Sequence, residues 1–276
     1  MSTGKVRIDD LPFGKFHFKI TGLTFGAHFT DGYIMGLIGI AFTLLTPAMQ
    51  LNSFWQGLIG SSVLIGLFFG SIASGVISDR FGRQKIFLFS FVIIAFGSFL
   101  QFYATTPLAL VLCRIFIGIG IGGDYSVGHA WLAEFCPRKN RGAILGSFSV
   151  IWTFGYVAST FVGTGMIKMD LGPDTWRWML ASSFIPAVIV LIARRGAPES
   201  PRWLLNKGKA DEAAAVLKKH FGENVILGDE EIDAENTGFM ALFSKKYISR
   251  TLFNCIFFMC IVMPLFCDLY LPAHDS

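Results

Sequence analysis

Two aspartates stand where a charge is costly. Asp31 lies in the apolar run 22–45, and Asp124 lies in the run 108–133, whose only other charge is Arg114. An ionised carboxylate at the centre of a membrane helix costs roughly 2.5–3.5 kcal/mol on insertion scales, so such groups face a bundle interior or a watery cavity. Carboxyl groups held away from water and near one another can load and release a proton near neutral pH. The chemistry on offer is proton coupling or contact with a polar substrate. The plainer alternative is a carboxylate bonded to a hydroxyl of a neighbouring helix or to Arg114.

Depth supports pairing the two acids. Asp31 is nine residues in from the start of its run, and Asp124 is nine residues short of the end of its own. At 1.5 Å per residue both lie about 14 Å from the same face of the membrane if the two helices run in opposite directions. His28, three residues before Asp31, is either a member of the same site or an ordinary hydrogen-bonded histidine. Arg114 precedes Asp124 by about 15 Å along the axis, too far for a direct pair. It is either a gate or relay, or an anchor that snorkels to water at the outer end. Trp152 and Tyr156, four apart, either line a cavity or pack against lipid and core.

The elements that must position these residues follow from composition. Hydrophobic residues make up 53% of the 276, charged residues 15%, and there are 29 phenylalanines. That is too apolar for an ordinary soluble domain. A span takes about 20 apolar residues, and seven runs qualify: 22–45, 54–77, 86–104, 108–133, 143–167, 176–195 and 250–271. The segments 1–21, 78–85 and 136–141 carry ten basic residues between them, whereas the opposite segments carry only Lys168, with Arg177 just inside the next span. The positive-inside rule then places the amino terminus in the cytoplasm. Nucleic-acid binding is not implied by these loops.

Small residues set the packing. Ser62, Gly66, Gly70 and Ser74 form a stripe on which another helix can close, and Gly142 and Gly146 repeat the spacing in the fifth span. Gly118-x-Gly120-x-x-Gly123 satisfies the dinucleotide pattern, but it has no preceding strand and lies within a helix, so no cofactor is implied. There is no catalytic constellation, and His17, His28, His129, His220 and His274 are too scattered to suggest a metal site. The cysteines, Cys113, Cys136, Cys255, Cys260 and Cys267, read as small buried hydrophobes.

Four segments are expected. Residues 1–21 are a cytoplasmic tail, either unstructured or a helix begun by Asp10 and Pro12 with Phe13, Phe16 and Ile20 against lipid. Residues 22–195 are a six-helix bundle. Residues 196–249 are a cytoplasmic linker with a helix over Lys209–Phe221 stopped by Gly222 and an acidic loop from Gly228 to Glu235. Residues 250–276 are a seventh span ending at Pro272. The fold class is all-α membrane.

Gly75-Val-Ile-Ser-Asp79-Arg80-Phe-Gly82-Arg83-Gln-Lys85 resembles the loop between helices two and three of the major facilitator superfamily. Glu134-Phe-Cys-Pro137-Arg138-Lys-Asn-Arg141-Gly142 resembles its counterpart after helix four. Pro198-Glu199-Ser200-Pro201-Arg202-Trp203-Leu204 resembles the signature after helix six in the sugar and metabolite branch. The resemblance covers about residues 20–270. It implies a cytoplasmic gate built from Asp79, Arg80, Gly82, Arg83, Glu134, Arg138, Arg141, Glu199 and Arg202. Thr30-Asp31-Gly-Tyr33 and Gly122-Gly123-Asp124-Tyr125 look like the acids of proton-coupled members, which brings Tyr33 and Tyr125 into the cavity set. Many such members that carry phosphate or organic acids have a second acid where this chain has Ile34.

The resemblance implies a proton-coupled carrier of a sugar or organic acid working by alternating access, not an enzyme, in a bacterial cytoplasmic (inner) membrane. Its expected partners are a small-molecule substrate, a proton and the lipid bilayer. The family has twelve spans in two bundles, so this chain reads as the amino-terminal half, with a second six-helix bundle as its natural packing partner. The competing expectation is a truncated, non-transporting remnant or a membrane interaction module.

Overall fold

The structure, a computed structural model, describes residues 6–227, 243–245 and 247–270, without side chains at 258 and 261–270. It divides into two units, Met1–Gly228 and Asp229–Ser276. The acidic loop and Pro272 lie outside the described residues.

Caps written in the sequence set the ends of the long helices. α1 (Lys15–Met49) begins where the Gly14 N–H donates to His17 Nδ1 at 3.0 Å, and it ends at Gln50 in the left-handed region, φ 49°. α2 (Ser53–Phe81) starts on Asn52, whose side chain accepts from the Trp55 N–H at 3.0 Å. α3 (Arg83–Leu100) follows through Gly82, whose φ of 104° suits glycine. α4 (Pro107–Phe135) is capped by Thr106 and opened by proline, and α5 (Arg138–Met169) completes the long set.

The sixth predicted span is broken into α6 (Thr175–Ser182) and α7 (Phe184–Ala193). Pro186 is the cause: it has no N–H to give to the Ser182 carbonyl, and its ring crowds that turn. α8 (Pro201–Asn206), capped by Ser200, and α9 (Ala210–Phe221) form the linker helices. α9 matches the predicted amphipathic helix, with Gly222 at φ 98° after it. The second unit holds α10 (Ile248–Tyr270), the helix expected as the seventh span. Six helical stretches among the described residues are long and apolar enough to cross a bilayer, with α6 and α7 acting as one.

Glycines decide which helices touch. A Cβ on Gly66 would overlap the Ile115 carbonyl, and one on Gly122 would overlap that of Leu67, so α2 and α4 meet backbone to backbone as the stripe predicted. Gly142 and Gly146 do not extend that pattern, because nothing lies within 4 Å of a Cβ on either. The α1–α5 contact is made instead by Gly32 and Gly36 against Trp152, Tyr156 and Ser159, and by Gly155 against the Phe29 carbonyl.

Two expectations for the amino-terminal segment are corrected. Asp10 and Pro12 precede the helix rather than begin it. A two-residue strand, Val6–Arg7, pairs in parallel with Val225–Ile226, and Ile8–Asp10 form a 3-10 turn. Phe16 and Ile20 do not face lipid. Ile20 is buried, and the Phe16 ring packs on Phe135 and Phe221 at 5.5 and 5.0 Å, because α9 covers that face. The cysteines also divide: Cys136 is buried and Cys113 partly so, while Cys255 and Cys260 are exposed within their own unit.

Candidate functional site

Asp124 reaches the bundle interior because glycines thin α4 on two sides. A Cβ on Gly120 would come within 2.7 Å of the Ser90 carbonyl on α3, and one on Gly123 within 2.8 Å of Ser74 Oγ on α2. So enclosed, Asp124 pairs with Arg194, Oδ1 to Nη1 at 2.5 Å, and neither side chain is exposed. The same Nη1 donates to the Phe87 carbonyl at 2.8 Å. The guanidinium lies 3.4 Å over the Phe87 ring and 4.2 Å over Phe91, where cation–π attraction holds it.

Asp31, on α1, is also fully buried, and neither carboxylate oxygen has a hydrogen-bond partner among the described residues. It lies within electrostatic reach of both Asp124 and Arg194. The two acids predicted to share one level therefore share one ionic cluster, and the Asp124 partner is Arg194 rather than a hydroxyl or Arg114. With both acids ionised, the three groups carry one uncompensated negative charge.

Arg194 was missed because it sits at the edge of an apolar run, beside Arg195, where arginines ordinarily snorkel. Helical phase was the available signal. Arg194 falls on the face of Ala187 and Val190, both buried, while Arg195 falls outside it and is exposed.

His28 does join the site. Its ring stacks on Phe148 at 4.2 Å and tilts toward Tyr125 at 5.2 Å. Its Nε2 lies 3.3 Å from the Nε2 of His129, a residue the sequence left among scattered histidines. Tyr125 lies within electrostatic reach of both acids. Arg114 is corrected: it does not snorkel. It is buried between α4 and α2, closed by the Gly66–Gly118 contact, and donates from Nε to the Ile59 carbonyl at 3.1 Å. Tyr33 fastens α1 to the α6 end through Ser182 Oγ at 2.8 Å. Trp152 and Tyr156 are half-buried, with rings stacked at 5.8 Å along the α1–α5 contact.

The residues expected at a gate are gathered only in part. Arg83 pairs with Glu134, which also accepts from Ser200 Oγ. Glu199 accepts the backbone N–H groups of Arg83 and Gln84 at 3.0 and 3.1 Å, so it caps α3 from across the fold. A Cβ on Gly82 would overlap that carboxylate. Arg141 and Arg202 converge on Asp9, the latter at 3.0 Å, which brings an unforeseen acid into the set. Asp79, Arg80 and Arg138 are exposed and make no ion pair among the described residues; only the Asp79 carbonyl is engaged, by Trp203 Nε1 at 3.1 Å. Replacing Glu199 with alanine is expected to cost about 1–2 kcal/mol, the worth of a lost helix cap. Hydrogen exchange at residues 83 and 84 should rise with it; protection equal to that of the unaltered chain would remove the capping role.

Known proteins resemble this arrangement. The family model described as "Sugar (and other) transporter" matches residues 22–269. The inner membrane metabolite transport protein YgcS of Escherichia coli is 55% identical over 266 residues, 96% of this chain and 59% of that protein. The putative metabolite transport protein YaaU of the same organism is 37% identical, over 94% of this chain and 57% of its own length. The chain thus spans a little under three-fifths of these relatives. Among solved structures, the proton:xylose symporter XylE of E. coli superposes with a TM-score of 0.70 at 26% identity, over 75% of this chain and 50% of XylE.

Proposed function

The chain belongs to the sugar transporter family of the major facilitator superfamily, a family of multi-pass membrane carriers and not of enzymes, and from that premise we propose that it forms the amino-terminal bundle of a proton-coupled carrier for a sugar or organic acid. The observation that carries the proposal is the buried Asp31–Asp124–Arg194 cluster, two acids against one base, which with both acids ionised is one negative charge out of balance. One proton cancels that charge. The neutral cluster can then be enclosed while the bundle moves against its partner bundle, whereas the charged one is costly to seal from water. Proton loading and alternating access are coupled by this difference in cost.

In this reading Asp31 is the carboxyl that takes the proton, since Asp124 is already engaged by Arg194. Tyr125 and Trp152 flank the substrate, and the Arg83–Glu134 and Arg141–Asp9–Arg202 pairs hold the inner side closed. Such interfacial pairs are individually weak, so they can break and re-form in each cycle. The basic loops favour a cytoplasmic position for that side and for the amino terminus, and the resemblance to YgcS favours a bacterial inner membrane.

The test uses the chain joined to the carboxyl-terminal half of its 55% identical relative, reconstituted in proteoliposomes and offered a panel of labelled sugars and organic acids. A pH gradient is expected to drive accumulation of at least one of them. Asp31→Asn should lower the ratio of gradient-driven accumulation to counterflow by about tenfold or more, a change of about 1.4 kcal/mol in coupling. An unchanged ratio would remove Asp31 from proton coupling.

A further inference from the structure

The structure places two imidazoles so that they bond to each other only when they hold a proton between them. His28 Nδ1 faces the Thr24 carbonyl oxygen at 3.0 Å, and His129 Nδ1 faces the Tyr125 carbonyl oxygen at 2.8 Å. A carbonyl only accepts, so each Nδ1 is the protonated nitrogen of its ring. A neutral imidazole has one N–H. Both Nε2 atoms of a neutral pair are therefore bare acceptors, facing one another at 3.3 Å. One added proton converts this opposition into an N–H···N bond.

We propose that His28 and His129 form a one-proton store through which the proton leaves the Asp31–Asp124 cluster toward the charged-loop end of the bundle. This rests on the carrier reading for its direction but not for the shared proton itself. Position favours it. His28 precedes Asp31 by three residues on α1, and His129 follows Asp124 by five on α4, so the pair lies on the charged-loop side of both acids. Access is graded along that line: the acids are fully enclosed, His28 is buried, and His129 is half-buried. The stacked Phe148 ring fixes the His28 plane from α5 and offers no competing donor.

Charge supports it independently. The groups facing the pair are Asp124 and Tyr125 on α4 and Arg194 at the end of α7, with Asp31 three residues along α1 from His28 and in reach of Asp124 and Arg194; α5 contributes the apolar Phe148. With both acids ionised, Arg194 and a protonated pair balance them. A proton on one acid with a neutral pair gives the same sum. In the transfer, a carboxyl O–H bond breaks to leave a carboxylate, and an N–H bond forms on an imidazole Nε2. The net charge of the cluster is zero before and after, so the proton moves without leaving the site charged.

The shared proton is tested on the purified chain by long-range ¹H–¹⁵N spectra of ¹⁵N-histidine-labelled protein, with H28Q and H129Q used for assignment. The expected result is Nδ1–H tautomers for both rings at high pH and uptake of one proton, not two, by the two rings together as the pH is lowered. In H129Q the amide supplies a fixed donor, so His28 should stay in its neutral Nδ1–H form at pH values where the unaltered pair has taken up its proton. An Nε2–H tautomer on either ring, or two rings each taking its own proton, would overturn the store, and the unaltered chain alone decides this. In the joined carrier, H129Q should lower the ratio of pH-driven accumulation to counterflow about tenfold. A ratio unchanged in H129Q but lowered by Asp31→Asn would overturn the exit route alone, whereas ratios unchanged in both would count against proton coupling itself.

Discussion

Arg194→Met is expected to destabilise the bundle by about 3–5 kcal/mol, the usual cost of leaving one member of a buried ion pair without the other. Asp124 has no other cation at bonding distance among the described residues, and glycine contacts on two sides keep α4 from moving to expose it. The ring contacts over Phe87 and Phe91 would go as well. Adding Asp124→Leu to the methionine variant should recover most of the loss, because a buried pair replaced by packed apolar groups is often neutral in stability. Thermal unfolding in detergent, followed by tryptophan fluorescence, separates the cases. A single variant within about 1 kcal/mol of the unaltered chain would show that the pair does not hold the fold. A stable double variant without pH-driven accumulation would assign the pair to coupling rather than to assembly.

The difference between Asp124 and Arg194 in the sequence explains how far reading alone could go. Asp31 and Asp124 were legible because each interrupts an apolar run near its middle, and a fixed rise per residue turns position into depth. Arg194 was not, because depth is uninformative at the end of a run and only the helical phase separates it from Arg195. The histidine pair was invisible for another reason. His28 and His129 are 101 residues apart, and neither spacing nor hydropathy encodes which faces of α1 and α4 meet. The residues expected at a gate divide in the same way. Motif resemblance pointed to Glu134, Glu199, Arg83, Arg141 and Arg202, while Asp9 was missed because its partners lie on α5 and on the linker helix α8, far from it in the sequence. The break between α6 and α7 was available in principle from Pro186, but a hydropathy window passes over it.

Gly118→Leu is expected to cost about 3 kcal/mol or more, above the usual range for overpacking, because its neighbours are backbone rather than adjustable side chains. A Cβ at 118 already overlaps the Val63 carbonyl and sits 2.9 Å from the Gly66 Cα, so α2 and α4 must separate before any side chain fits. Gly142→Ala is the matched control: nothing lies within 4 Å of its Cβ, and exchanging glycine for alanine in a helix should stabilise by about 1 kcal/mol. Asp124 is carried on the displaced helix, so parting α2 from α4 should also strain its contact with Arg194. The Gly118 and Arg194 changes are therefore expected to be less than additive, with the second costing little once the first is present. Full additivity in the same unfolding assay would mean that the glycine contact and the ion pair are independent. The close approach of two backbones would then not be what holds the acid in place.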